Sequence, residues 1–412
     1  MTTQFSGIVQ LPSEAPATIR RRLGLAESEA LRVAFIPGPG DVEGTFTHWL
    51  AKRHEPRVPI IAYSLMFYEL MDQLDADCLI ISLHPVGESV GSSRERFCFD
   101  QIIHKQPKGR LSYFWSQYLF ARAITSQIQR YDPHIVVTST HNPASSWKRL
   151  SKGRVLVLTA HNTFWPLGRP PISLKGRFRK KLLSFHAAAL DAAICTSHEC
   201  SRQVALLTGD RIRSEVECPQ IVAHYPVEQR AEIRNLLFLG RIEESKGIFL
   251  LLDAFERLAK QYSSLSLSIV GDGDAEQRLR ERVLQSPLSR RITFLGRVDS
   301  KGVHDAIASS DLVVCPTMTS FNEGLAVVGF EAAAHGIPTL LSSVVPAAEL
   351  LGNSCTVFEA DNAESLQEAI CVLIDNPALY RKKCDATAAV RDMIYDRSRS
   401  WGSGLFRAIM NH

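Results

Sequence analysis

The chain has 412 residues, 45% of them hydrophobic and 22% charged, with a net charge of +4. That length predicts two domains, and the composition is that of a globular protein with ample core rather than a disordered or fibrous one. No apolar run reaches the roughly 18 residues of a membrane span, and the first thirty residues lack the apolar core of a secretion signal. Nine cysteines are scattered without a Cys-x-x-Cys pair, the pattern of reduced thiols in a cytosol. The charge is uneven: residues 1–230 hold 28 Lys and Arg against 20 Asp and Glu, a net +8, whereas the remainder holds 19 against 23, a net −4. Different partners for the two halves follow, and the bias is too mild and too free of motifs to point to nucleic acid.

Residues 1–30 read as a leader with a short helix near residues 17–25. The first convincing strand is Leu31-Arg-Val-Ala-Phe-Ile36, followed by a loop carrying Gly38, Gly40 and Gly44 and a helix that begins near Thr45. Strand, glycine loop and helix open a Rossmann-like unit, although any tight strand–helix turn can use glycines. Residues 77–83 form a second strand, and residues 111–131 an aromatic, amphipathic helix with Tyr113, Phe114, Trp115, Tyr118 and Phe120. Two further strands end in loops bearing His141 and His161. A His at the carboxyl end of a parallel strand faces the cleft where α/β sheets bind ligands; the alternative for each is a satisfied loop residue. Over residues 174–185, Lys175, Arg177, Arg179, Lys180 and Lys181 interleave with Phe178, Leu182, Leu183 and Phe185. Such a segment rests on an anionic membrane surface or is a solvated helix face, and both readings stand. Residues 190–197 give the last strand of this half, and the linker falls near 222–232.

The second half restarts the pattern. A strand at residues 234–239 leads into a polar loop with Gly240, Arg241 and Lys246, and an amphipathic helix follows over 248–262. Residues 265–270 and 291–298 add strands, and Asp311-Leu-Val-Val-Cys-Pro316 reads as a buried parallel one. Beyond it, Glu323 and Glu331 are the only charges between Thr319 and Pro338 apart from His335. Helix formers from Ala326 to Ala334 end at His335-Gly336, a good C-cap, so Glu323 lies before a helix N-terminus and Glu331 about two turns inside it. Backbone N–H groups at such a terminus suit a phosphate, and flanking carboxylates accept hydrogen bonds from sugar hydroxyls. The plain alternative is a solvated loop Glu and a surface helix Glu. Cys195 and Cys200 lack a second ligand cluster, so no metal is expected. Helices over 361–376 and 378–393 close the second half, and the tail 396–412 is long enough for one more.

The stretch from Glu323 to Glu331 resembles the Glu-x7-Glu motif of retaining glycosyltransferases with the GT-B fold, a family that includes many bacterial mannosyl-, glucosyl- and N-acetylglucosaminyltransferases. Phe-Leu-Gly-Arg241 with Lys246-Gly247 is similar to that family's Gly-Arg…Lys-Gly loop, and residues 132–143 and 154–164 to its His-bearing strand ends. Three departures are visible: Ala326 in the motif, Ser139 where a first His is usual, and residues 217–226 where a Pro-Asn-Gly is usual. The resemblance implies an α/β protein with two Rossmann-like domains facing a cleft. A leader (1–30), an acceptor domain (31–225), a nucleotide-sugar domain (226–395) and a helix returning to the first domain (396–412) follow from it. It implies that Arg241 and Lys246 hold a donor diphosphate, that Glu331 accepts from ribose hydroxyls and Glu323 from sugar hydroxyls, and that His141 supports the reacting sugar. Gly240, the backbone of Gly324, Leu325, Ala326 and Val327, and Gly296, Arg297 and Val298 near the base would complete the donor site. Gly38, Gly40, Gly44 and His161 would flank the acceptor and phosphates. The expected reaction moves a hexosyl group from a UDP- or GDP-sugar to a hydroxyl of a saccharide, lipid-linked or small-molecule acceptor, with retention, without a metal and with no cofactor beyond the sugar nucleotide. The expected location is the cytosol, with a peripheral membrane contact if the basic segment is used that way. The alternatives are an inactive nucleotide-sugar-binding scaffold and a nucleotide-sugar epimerase.

Overall fold

The computed structural model describes residues 7–83, 96–102 and 109–412; residues 1–6 of the expected leader lie outside them. Seven strands build the first sheet: β1 (Leu31–Ile36), β2 (Ala76–Ser82), β3 (Phe97–Gln101), β4 (Ile135–Ser139), β5 (Val155–Ala160), β6 (Ala192–Cys195) and β7 (Ser214–Val216). Their order is β3-β2-β1-β4-β5-β6-β7, and all pairs are parallel. A parallel sheet needs helices on both faces, and β1 shows why its residues suit that. Leu31, Val33 and Phe35 enter one core with the helices Val42–Leu50, Tyr63–Gln73 and Trp401–Met410. Ala34 and Ile36 enter the other with the helices Arg110–Tyr131, Trp147–Leu150, Leu174–Ala187 and His198–Thr208. Edge strand β3 escapes sequence reading, because Phe97-Cys-Phe-Asp-Gln101 is only half-buried and lacks a continuous apolar run. The leader is a helix, Ala15–Arg22, seated by buried Ile19 and by the Arg20 guanidinium, which donates to the Leu74 and Asp75 carbonyls.

The second sheet has six parallel strands: β8 (Asn235–Leu239), β9 (Ser266–Val270), β10 (Ile292–Gly296), β11 (Leu312–Cys315), β12 (Thr339–Ser342) and β13 (Cys355–Phe358), in the order β10-β9-β8-β11-β12-β13. In both sheets the strand order reverses beside the first strand, between β1 and β4 and between β8 and β11. Ligands of open α/β sheets bind at such switch points, beyond the carboxyl ends of the strands.

The chain crosses between the domains twice, and the crossings lie side by side. Tyr395 Oη donates to the Ala223 carbonyl at 2.9 Å, and Arg397 Nη2 to the Ile221 carbonyl at 2.9 Å. The final helix, Trp401–Met410, then packs on the first domain, with Trp401 6.0 Å from the Phe35 ring and Arg407 paired to Glu215 at 2.9 Å. One boundary differs from expectation. The helix after the Glu323 loop is Val328–Ala334, so Glu331 stands in its first turn and not two turns inside. Residues 324–327 form no helix, because Ala326 adopts the left-handed region with φ +69°.

Candidate active site

Two adjoining cavities open at the cleft, one of them between the domains. The first, of about 400 Å³, is walled by the loops after β8 and β11, the Glu323 loop and the Val328–Ala334 helix from one domain, and by Tyr63, His161, Asn162 and Thr196 from the other. It brings together Gly240, Arg241, Lys246, Glu323, Leu325, Ala326, Val327 and Glu331. The second, of about 390 Å³, lies wholly against the first domain and is lined by Gly38, Gly40, Asp41, Thr45, Glu55, Ser64 and His141. Tyr63 and His161 line both cavities and are the partition between them.

Within the first cavity, Lys246 Nζ donates to Glu323 Oε2 at 2.6 Å, and Thr317 Oγ1 to the same oxygen at 3.1 Å. The ammonium also sits 3.8 Å from the centroid of Phe321, a cation–π contact that holds it over the cavity. Gly247 makes this loop geometry attainable: its φ is +73°, and a Cβ there would enter the Pro316 carbonyl. Arg241 is the more exposed of the two cations, with its side chain 60% exposed and paired to Glu243. Glu331 is 4% exposed, and its carboxylate has no hydrogen bond or ion pair among the described residues. Burial alone pushes its carboxyl up to about 7. A largely buried, unpartnered carboxylate at a cavity wall is a costly arrangement that a ligand with two hydroxyls relieves.

The Glu323 loop is clasped by the opposite domain. Thr163 Oγ1 donates to the Glu323 carbonyl at 3.1 Å, and Thr196 Oγ1 to the Gly324 carbonyl at 3.5 Å. Gly324 is required by this approach, since a Cβ there would lie inside the van der Waals shell of the His161 carbonyl oxygen. His161 is half-buried; its Nε2 shares a 2.8 Å hydrogen bond with Thr159 Oγ1, and its Nδ1 has no partner. Burial, with His141 as a lesser cause, holds the ring neutral by lowering its pKa to about 3. Its ring centroid is 4.5 Å from Tyr63 and 6.5 Å from His141.

The structure therefore places His161, and not His141, in the cavity that holds the two carboxylates. His141 lines the neighbouring cavity, packed against Gly38, and burial lowers its pKa as well. Gly44 lines neither cavity: its N–H is committed to capping the Val42–Leu50 helix through Asp41 Oδ1 at 2.8 Å. Gly296, Arg297 and Val298 lie at the end of edge strand β10, outside the cavity lining, with Arg297 largely exposed and facing Asp272 at 3.7 Å. Sequence reasoning missed Tyr63, Thr317 and Phe321. The last two sit between β11 and Glu323, where their polarity and aromaticity were readable; for Tyr63 no local signal exists.

Comparison with known proteins bears on the family and the fold. The family model described as "Glycosyl transferases group 1" matches residues 228–391, and that described as "Glycosyltransferase Family 4" matches residues 65–216. A phosphatidyl-myo-inositol mannosyltransferase of Mycobacterium leprae is 32% identical over 201 residues, which is 48% of this chain and 51% of that protein. The chain spans about half the length of the curated relatives it matches. Among solved structures, sucrose-phosphate synthase from Thermosynechococcus elongatus superposes with a TM-score of 0.66 at 17% identity, over 92% of this chain and 97% of its own. Anabaena HepE in complex with UDP gives 0.62 at 15% identity, over 89% and 96%. Two parallel-sheet domains closed over a shared cleft give this chain the GT-B fold, with a group 1 glycosyltransferase domain over residues 228–391 and a family 4 glycosyltransferase domain over residues 65–216.

Proposed function

We propose that this protein transfers a hexosyl group from a UDP- or GDP-sugar to an acceptor hydroxyl, with retention at the anomeric carbon. The observation that carries the reading is the buried, unpartnered Glu331 carboxylate in one cavity with Lys246, Glu323 and Arg241. The family, the mannosyltransferase relative and the UDP bound by HepE support it. Glu331 accepts hydrogen bonds from the ribose hydroxyls. Arg241 turns from Glu243 to the diphosphate, and Lys246 exchanges Glu323 for phosphate oxygens, which frees Glu323 to hold hydroxyls of the sugar. The leaving diphosphate gains charge as the glycosidic bond breaks, so cations fixed around it favour the transition state over the ground state and no metal is needed for that task. The acceptor occupies the cavity of Gly38, Gly40 and His141 and reaches the sugar past the Tyr63–His161 partition. Neutral His161 supports the sugar from the first domain, and the departing phosphate oxygen takes the acceptor's proton.

The test is thermal-shift screening of wild type and Glu331→Ala against UDP-, GDP- and ADP-sugars, with release of nucleoside diphosphate followed in parallel. Stabilisation by one nucleotide series, lost in the variant, together with slow donor hydrolysis, is the expected result. Stabilisation without any turnover, with or without a panel of saccharide and lipid-linked acceptors, would instead assign a nucleotide-sugar-binding scaffold.

A further inference from the structure

The helices on one face of the first sheet expose apolar surface where a globular protein usually hides it. The helix Arg110–Tyr131 buries Phe120, Ile124 and Ile128 in its second half, while Phe114 is 69% and Trp115 63% exposed in its first half. In the helix Leu174–Ala187 only Ala187 is buried; Leu174 is 86% and Phe178 71% exposed. Both helices flank the Ala144–Leu150 segment, and both begin at the cleft end of the sheet, so their exposed turns stand on one side of the cleft mouth.

Charge on this face is of one sign. Residues 112–190 contain 12 Lys and Arg and a single carboxylate, Asp132, which is taken by Arg154 at 2.6 Å. Arg177, Lys180 and Lys181 surround an open cavity of about 540 Å³ whose other wall is Pro171 and Ile172. Cations beside exposed aromatic and aliphatic side chains match a surface that is anionic outside and apolar a few ångströms beneath. A purely polyanionic partner has no use for Leu174 and Phe178, and a protein groove would leave the cations uncompensated. We propose that this face seats the first domain on an anionic lipid surface. Lipid phosphates then lie at Arg177, Lys180 and Lys181, and Phe114, Trp115, Leu174 and Phe178 reach the boundary between headgroups and acyl chains. The cleft mouth would thereby face the membrane, as transfer to a lipid-borne acceptor requires, but the docking itself does not rest on the transfer reaction.

The protein carries its own reporter. Trp115 is exposed, whereas Trp49, Trp147, Trp165 and Trp401 are 1–8% exposed. Intrinsic fluorescence of the full chain is followed on addition of phosphatidylcholine vesicles with and without phosphatidylglycerol, each also prepared with brominated acyl chains. The expected result is a blue shift and bromine quenching that need phosphatidylglycerol. Arg177→Glu/Lys180→Glu/Lys181→Glu should weaken partitioning by more than about tenfold, and Leu174→Ser/Phe178→Ser should also weaken it. No spectral change with phosphatidylglycerol overturns the proposal. So does binding that ignores the Leu174→Ser/Phe178→Ser change, or an equal shift on single-stranded RNA, which would assign the face to polyanions. Retained stabilisation of these variants by the donor nucleotide shows that they are folded and separates failure here from failure of the transfer proposal.

Discussion

Glu331 offers the sharpest test of the site, because its burial predicts opposite effects on stability and on binding. Its carboxyl lies at about 7 in the folded protein against an ordinary 4.5, with burial as the cause. Between those values the folded chain keeps a proton that the unfolded chain has released. Stability therefore falls as pH rises through this window and stays reduced above it. The gap corresponds to about 3 kcal/mol, an upper limit because water penetration relieves part of it. Glu331→Gln preserves the shape and removes the ionisation. Relative to wild type it should be no more stable at about pH 4 than its unpaired amide allows, and it should gain about 2–3 kcal/mol at about pH 8. For the second domain that gain is about 4–12 °C in Tm. Urea unfolding of both proteins at the two pH values measures it. With the matching nucleotide present the order reverses: a carboxylate accepting two ribose hydroxyls contributes about 3 kcal/mol, so the variant should bind about 100-fold more weakly. A stability difference of the same size at both pH values would refute the reasoning, since the charge of Glu331 would then not be what the fold resists.

Lys246→Ala leaves the Glu323 carboxylate largely buried without its cation and should cost about 3 kcal/mol, of which Lys246→Ala/Glu323→Gln should recover more than half. Simple additivity in that double-mutant cycle would show that the 2.6 Å pair is not coupled. Gly324→Ala pushes the Glu323 loop off the His161 carbonyl, so kcat should drop by at least about tenfold while nucleotide affinity changes little. Lost affinity with kcat unchanged would place Gly324 in ground-state binding alone. Because only the ionised Glu331 accepts from both ribose hydroxyls, donor kcat/KM should rise with pH through about 7, a limb that Glu331→Gln abolishes. His161, held neutral down to about 3, contributes no limb above about pH 5, so His161→Asn should lower kcat and leave the shape of the profile intact.

What the sequence by itself determined is the local part of the problem. The apolar run of β11 followed by Glu323, seven residues and Glu331 is a strand, loop and helix written in consecutive residues, and the cations of the β8 loop are equally local. Spacing of that kind survives any packing, which is why two α/β domains and most of the first cavity were legible. Tertiary structure alone decided the rest. Lys246 and Glu323 meet across 77 positions of sequence. His161 faces the two carboxylates while His141 turns to the neighbouring cavity, a difference set by which strand lies nearer the opposite domain. Gly44 is spent on a helix cap, and Glu331 moved into the first turn of its helix because Ala326 takes a left-handed backbone. The same basic and aromatic segments could be a solvated face or a docking surface in sequence, and only the structure shows both helices flanking one segment with their first turns exposed at the cleft end of the sheet. Burial and juxtaposition are sums over contacts distant in the chain, and no run of neighbouring residues encodes them.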